Sequence, residues 1–227
     1  MPFLSNEALG GAKPLPRYLS VITNFGCRHH CPYCITRDRG VEVSRANSLI
    51  GLREAIKEIS PDIISVSGGG DPFNDYGEHR DWWDDLYRIA GPIPIEPHTS
   101  YLENDFDRPC LRIVYHPISK NEDISAIKRK GEEIVRVVYV VTDDMSASDL
   151  PSIADEVGES EDIDELSFRQ LVKADGSVSR HLGEELAAGH SKGLWHYIRQ
   201  ADYNAYFANG RLCGAFQDIG KDREGGR

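Results

Sequence analysis

The chain has 227 residues, 40% of them hydrophobic and 28% charged, enough for one substantial core and short for two ordinary domains. Its 26 basic and 37 acidic residues leave a formal charge of −11, which opposes nonspecific attraction to duplex nucleic acid, because phosphate contacts need clustered Lys and Arg. No run of about 18 apolar residues exists to cross a bilayer, and the first ten residues lack the basic start and apolar stretch of a secretory leader, so a cytoplasmic location is the default expectation.

Residues 1–16 read as an N-terminal extension, 17–220 as a single domain, and K-D-R-E-G-G-R at 221–227 as a disordered tail. Within the domain, β-rich runs recur at Tyr18 to Thr23, Ile63 to Ser67, Ile93 to His98, Leu111 to Tyr115, Ile134 to Val141 and Glu165 to Val172. Helical spacing falls between most of them. Leu49, Leu52, Ile56 and Ile59 mark one apolar stripe over Ser44 to Ser60, ending before Pro61. Further helices are predicted over His79 to Ala90, Glu122 to Lys130, Ala147 to Glu156 and Glu184 to Gln200. A local basic patch such as Lys128-Arg129-Lys130 reads as a solvated helix face.

Strand and helix in regular succession imply parallel pairing with right-handed crossovers. The expected fold is α/β, a partial (βα)6 barrel, with a flat doubly wound sheet as the alternative. In either case ligands gather at the C-terminal ends of the strands. After the last helix, Asn209-Gly210 lies between two apolar runs and predicts a C-terminal β-hairpin, expected to close the barrel's open side.

The first predicted strand runs into F-G-C-R-H-H-C-P-Y-C. Five cysteines are an odd number, and Cys27, Cys31 and Cys34 crowd together at C-x3-C-x2-C spacing, which suits reduced metal-binding thiols better than a disulfide framework. Three thiolates can hold three irons of a cubic cluster and leave the fourth iron open to a small molecule. The competing reading is a zinc site completed by His29, His30 or Cys110, although neither histidine has a second ligand pair at regular spacing. Cys110 and Cys213 lie in apolar contexts and read as buried hydrophobes. Trp82, Trp83 and Trp195 read as packing residues.

This cysteine motif resembles the signature of the radical S-adenosylmethionine superfamily. The resemblance spans about Arg17 to Val172 and implies a 4Fe-4S cluster held by Cys27, Cys31 and Cys34. It further implies S-adenosylmethionine chelated to the open iron, reductive cleavage to a 5′-deoxyadenosyl radical, hydrogen abstraction from a substrate, and sensitivity to oxygen. Tyr33, before the third cysteine, is expected near the adenine by the same resemblance.

The second predicted strand runs into G-G-G-D-P-F, where Gly68, Gly69 and Gly70 would leave backbone groups uncovered for close approach to a ligand. The family's counterpart is a G-G-E-P motif that binds the methionine amino group; Gly69, Gly70, Asp71 and Pro72 match it with Asp in place of Glu, one methylene shorter. Other strand ends supply His98, Thr99 and Ser100, Tyr115 and His116, Thr142 and Asp143, and Arg169 and Gln170. Family resemblance suggests that some of these bind the cofactor's ribose and carboxylate, with Ser100 and Arg169 first. His98 and His116 read equally as satisfied loop histidines, and Arg169 as half of an ion pair.

These motifs do not name a substrate. The expected reaction is a radical transformation of a small molecule or nucleotide, driven by an external reductant such as flavodoxin or ferredoxin. Enzymes that form 7-carboxy-7-deazaguanine and phage enzymes that remodel modified thymines are similar in size. The alternatives are an activase that plants a glycyl radical on a partner enzyme and, from another class, a non-catalytic metal-binding or electron-transfer module.

Overall fold

A computed structural model describes residues 16–38, 46–173, 175–198 and 205–219. The tail at 221–227, and all of the extension except Pro16, lie outside these residues. The strands are β1 (Tyr18–Val21), β2 (Ile63–Val66), β3 (Ile95–Thr99), β4 (Arg112–Tyr115), β5 (Ile134–Val141), β6 (Glu165–Gln170), β7 (His196–Ile198), β8 (Ala205–Ala208) and β9 (Arg211–Cys213). The helices are α1 (Ile35–Asp38), α2 (Leu52–Ile59), α3 (Arg80–Ala90), α4 (Asp149–Glu159) and α5 (Gly183–Ser191). Among the described residues no helix is long and apolar enough to cross a membrane.

All nine strands form one sheet in the order β7-β6-β5-β4-β3-β2-β1-β8-β9, every neighbouring pair parallel except β8 with β9. Asn209 (φ 51) and Gly210 (φ 71) both take the positive φ that a tight two-residue hairpin turn needs. The hairpin docks β8 on β1, Leu19 opposite Ala205, and so lengthens the sheet beyond its first strand.

Along β1 to β6, apolar outer positions alternate with inner positions that are mostly polar. Leu19, Val21, Ile64, Val66, Ile113, Val135, Val137, Leu166 and Phe168 pack with Leu52, Trp83, Leu86, Leu150, Ile153 and Leu186 of the helices into the main core. Each such side chain contributes about 1.5–3 kcal/mol by leaving water. Ser20, Ser65, Glu96, His98, Arg112, Arg136, Glu165, Ser167 and Arg169 fall on the alternate positions. A parallel strand covered on both faces usually reads as a continuous apolar run; the alternation here marks a polar interior.

Three predicted helices come out shorter. The stripe from Ser44 yields a helix only from Leu52, because Gly51 turns left-handed (φ 87) and residues 46–50 brace other segments instead. Asn47 donates to Ile22 O (2.7 Å), and its Oδ1 accepts from Asn209 N (2.5 Å). Glu122 to Lys130 holds one 3-10 turn, Ile124–Ala126, capped by the Asp123 carboxylate. Two of its basic residues pair with acids, Lys128 with Asp162 (3.1 Å) and Arg129 with Asp164 (2.7 Å); Lys128 and Lys130 remain exposed, but on a loop and not on a helix. The helix expected over Glu184 to Gln200 stops at Ser191. Gly193 (φ 73) turns the chain, Trp195 folds back on Gly189, and His196–Ile198 becomes β7, paired with β6. Residues 199 and 200 lie outside the described set.

Candidate active site

The cysteine loop leaves β1 through two left-handed residues, Asn24 (φ 59) and Gly26 (φ 78), and the glycine loop leaves β2 beside it. The two are laced together by their backbones. Thr23 N donates to Gly68 O (3.2 Å), Gly26 N to Gly69 O (3.3 Å), and Asp71 N to Gly26 O (2.7 Å). A Cβ on Gly70 would lie 2.0 Å from Gly26 O, and one on Gly69 2.6 Å from Asn24 N. These glycines therefore admit the cysteine loop itself, a use of their small size different from the expected approach of a ligand. Gly68 is the looser one, its added Cβ meeting only the side chains of Ile22 and Phe216.

Other groups pin the cysteine loop from outside. Phe25 stacks on His79 (centroids 3.8 Å) and meets Trp82 edge-on. Asn74 Nδ2 donates to Phe25 O (2.9 Å), Tyr101 OH donates to Asn74 Oδ1 (2.7 Å), and Arg28 N donates to Tyr101 OH (2.9 Å). Arg37 reaches back to Cys31 O. Sequence reading missed Asn74 and Tyr101, since neither carries a motif.

Cys27, Cys31 and Cys34 line one cavity of about 250 Å3 at the C-terminal ends of the strands. Gly68, Gly70, Asp71, Tyr33, Ser100 and Arg169 line it too, as do His98, Thr99, His116 and Gln170. Contributions from β1 through β6 to one cavity mean that the sheet curves around it. Gly69, Thr142 and Asp143 are not on the wall, and Tyr115 packs in the main core. Ser20, Val140, Tyr206 and Phe216 also line the cavity. Period-two alternation along β1 offers a signal for Ser20; Tyr206 and Phe216 arrive only because the hairpin docks on β1.

Asp71 is turned inward. Its Oδ1 accepts from Phe73 N (2.9 Å) and Thr99 Oγ1 (2.7 Å), and its Oδ2 from Ser100 N (2.6 Å). Burial raises its pKa while these three donors pull the other way. Its carboxylate thus ties the glycine loop to the end of β3 and holds Ser100 in place. Tyr33 OH donates to Pro117 O (2.6 Å), joining the cysteine loop to the chain after β4.

Burial and the neighbouring Cys27 push the Cys31 thiol up to about 11, against the pull of the Ser100 side chain. Burial raises Cys27 as well, opposed by the His29 N–H that donates to its sulfur (3.3 Å). Without a cation the Cys27 and Cys31 thiols stay protonated at neutral pH, so metal binding there must release protons. Among the described residues no three His, Cys, Asp or Glu side chains converge on a point that one ion would occupy. Three soft thiols around a shared cavity suit a multi-iron cluster, one thiolate per iron, better than a single tetrahedral zinc. Cys110 packs against the main core and Cys213 is buried with Ile22 and Tyr206; neither lines this cavity.

Beneath the cavity lies a charged layer. Glu96 accepts from Arg112 (2.6 Å), and Glu165 pairs with Arg112 (3.0 Å) and Arg136 (2.5 Å). Burial alone would raise Glu96, but the His98 hydrogen bond and the charges of His98, Arg112 and Arg136 outweigh it and hold its pKa at about 2, against an ordinary 4.5. A folded-state pKa below the unfolded one stabilises the fold above pH 4.5, and that contribution disappears as pH falls toward 2. Urea titrations across this window should therefore show wild type losing up to about 3 kcal/mol more than Glu96→Gln. Equal losses would mean that Glu96 is not held ionised.

Among solved structures, a radical SAM methyltransferase from Sphaerobacter thermophilus superposes with a TM-score of 0.57 over 86% of this chain and 70% of that one, at 16% identity. No protein-family model matches the sequence, and no curated protein matches it. The chain thus has a mixed α/β fold of the radical S-adenosylmethionine type, with a mostly parallel nine-stranded sheet.

Proposed function

We propose that this protein is a radical S-adenosylmethionine enzyme built on a partial (βα)6 barrel, with Cys27, Cys31 and Cys34 as the ligands of a 4Fe-4S cluster. The observation that carries this reading is the meeting of three thiols with a glycine loop in one cavity at the strand ends, within a fold of that type. When bound, the cluster and S-adenosylmethionine supply reductive cleavage of a carbon–sulfur bond and a radical able to take a hydrogen atom from substrate.

The chain's own residues divide the remaining work. The His29 N–H supports the Cys27 sulfur, and hydrogen bonds of this kind tune a cluster's potential. Gly68, Gly70 and Ser100 offer backbone and hydroxyl groups to the methionine end of the cofactor, with Asp71 as the positioning residue behind Ser100. Tyr33 offers its ring to the adenine, and Arg169 a cation to a carboxylate or to the substrate. The hydrogen-bonding side chains on the wall, among them His98, Thr99, His116 and Gln170, suit a hydrogen-bonding small molecule or nucleotide, and an external one-electron donor such as flavodoxin or ferredoxin completes the reaction.

The test is electron paramagnetic resonance of the anaerobically reconstituted, dithionite-reduced protein. A four-iron signal that shifts on adding S-adenosylmethionine is the expected result, with 5′-deoxyadenosine formed on incubation. Zinc without iron after anaerobic purification would overturn the reading in favour of a metal-binding module.

A further inference from the structure

The polar interior holds a chain of three titratable groups that the cofactor reading does not use. Glu96 and His98 are two residues apart on β3 and so share its inner face, and His116 follows β4. Glu96 Oε1 lies 3.1 Å from His98 Nε2, and His98 Nδ1 lies 3.1 Å from His116 Nε2. Both histidines line the cavity, with ring centroids 5.4 Å apart.

The order of these atoms dictates where the protons sit. Glu96, an acceptor only while ionised, requires the proton of His98 on Nε2. Neutral His98 then has a bare Nδ1, which can accept only from an Nε2–H of His116, and this leaves the lone pair of His116 on Nδ1. Among the described residues nothing hydrogen-bonds that nitrogen.

We propose that Glu96, His98 and His116 form a proton relay whose cavity end is Nδ1 of His116, an acid–base site for a substrate bearing an O–H or N–H acid. The proposal rests on the preceding reading only in taking this cavity as the substrate site. As the substrate's X–H bond breaks, an N–H bond forms at Nδ1 of His116. The proton on Nε2 of His116 passes to Nδ1 of His98. The substrate is left as its conjugate base, and the relay's single positive charge comes to rest on His98 against the Glu96 carboxylate. Run backwards, the relay delivers one proton.

The surrounding charges favour that direction. Burial, His98 and Arg169 hold His116 well below the ordinary imidazole range, so a cation is poorly tolerated there. On His98 it meets Glu96, whose other oxygen is held by Arg112, with Arg136 and Glu165 behind. Tyr18, from β1, reaches Glu96 and Arg112 in the same layer. Arg169, on the cavity wall, faces the conjugate base that forms.

The test is nuclear magnetic resonance of the full-length protein with its histidine rings labelled with 15N, titrated through neutral pH. At the basic end, both His98 and His116 should be Nε2–H tautomers, and the first added proton should appear on Nδ1 of His98. Glu96→Gln should lower the midpoint of that uptake by about 1–3 units, the usual effect of removing an opposite charge at this range. His116→Asn, which leaves Glu96 and Arg112 untouched, should expose Nδ1 of His98 to water while its Nε2–H remains. An Nδ1–H tautomer on His116, or a folded Glu96→Gln protein with an unchanged midpoint, would overturn the relay. The relay itself needs no iron, so the ring resonances can be recorded before the cluster is reconstituted. A four-iron protein with independent histidines sinks the relay alone, and an iron-free protein with a working relay sinks only the radical reading.

Discussion

On the proposed four-iron reading, alanine at Cys27, Cys31 or Cys34 should leave a folded protein that no longer assembles a cluster. Three thiolates are the fewest that hold such a cluster while keeping one iron open, so losing any one removes a corner with no substitute nearby. None of the three lies in the main core or carries a disulfide, so the fold does not depend on them. Iron and sulfide content together with far-ultraviolet circular dichroism separate the two effects. Cys110→Ala and Cys213→Ala should retain iron, since those thiols are set into apolar packing away from the cavity. An intact four-iron spectrum in all three motif variants would contradict the assignment.

Gly70→Ala should lose iron although every thiol remains. Gly70 has φ +108, where an L residue is strained, and a Cβ there would stand 2.0 Å from the carbonyl oxygen of Gly26, the residue before Cys27. Unusual backbone of this kind costs about 1–3 kcal/mol for a residue with a side chain. A contact that short must in addition push the two loops apart. The displaced element is the cysteine loop, so cluster assembly and cofactor binding should fail together. Gly77→Ala is the control, because its added Cβ meets nothing within 4 Å. Iron content and thermal midpoint of both variants check this. Full iron in Gly70→Ala with only cofactor affinity reduced would mean that the glycine serves the ligand directly.

The six predicted strands all form, within a residue or two of their expected limits, because β-branched runs bounded by Gly, Pro and Asp state their own ends. The hairpin at Asn209-Gly210 was equally legible, since few residue pairs accept positive φ twice in succession. The shortened helices went the other way. Leu49 continues the helical stripe, yet residues 46–50 serve the cysteine loop and the hairpin, where Asn47 links Ile22 to Asn209. Trp195 continues the helical run from Glu184, yet its indole closes on Gly189 and donates to Leu186 O (3.0 Å), and the chain becomes β7.

At the candidate site, local chemistry was readable and direction was not. Cysteine spacing and a strand followed by three glycines are properties of contiguous residues, and they located the two loops correctly on the chain. Whether the glycines face a ligand or the neighbouring loop depends on what packs 2–3 Å away, and that neighbour is 44 residues distant in the case of Gly26 and Gly70. Asp71 could be seen as a shortened glutamate, but its grip on Ser100 exists only once β2 and β3 lie side by side. The same holds for Glu96, His98 and His116. Period-two alternation assigns the first two to one face, and only the parallel pairing of β3 with β4 brings the third within a hydrogen bond of them. Residue types and short spacings thus fix which chemistry is available, because they act within a few bonds of chain. The curvature and register of the sheet decide which of those groups meet, because hydrogen bonds and packing forces act over a few ångströms and take no account of sequence distance.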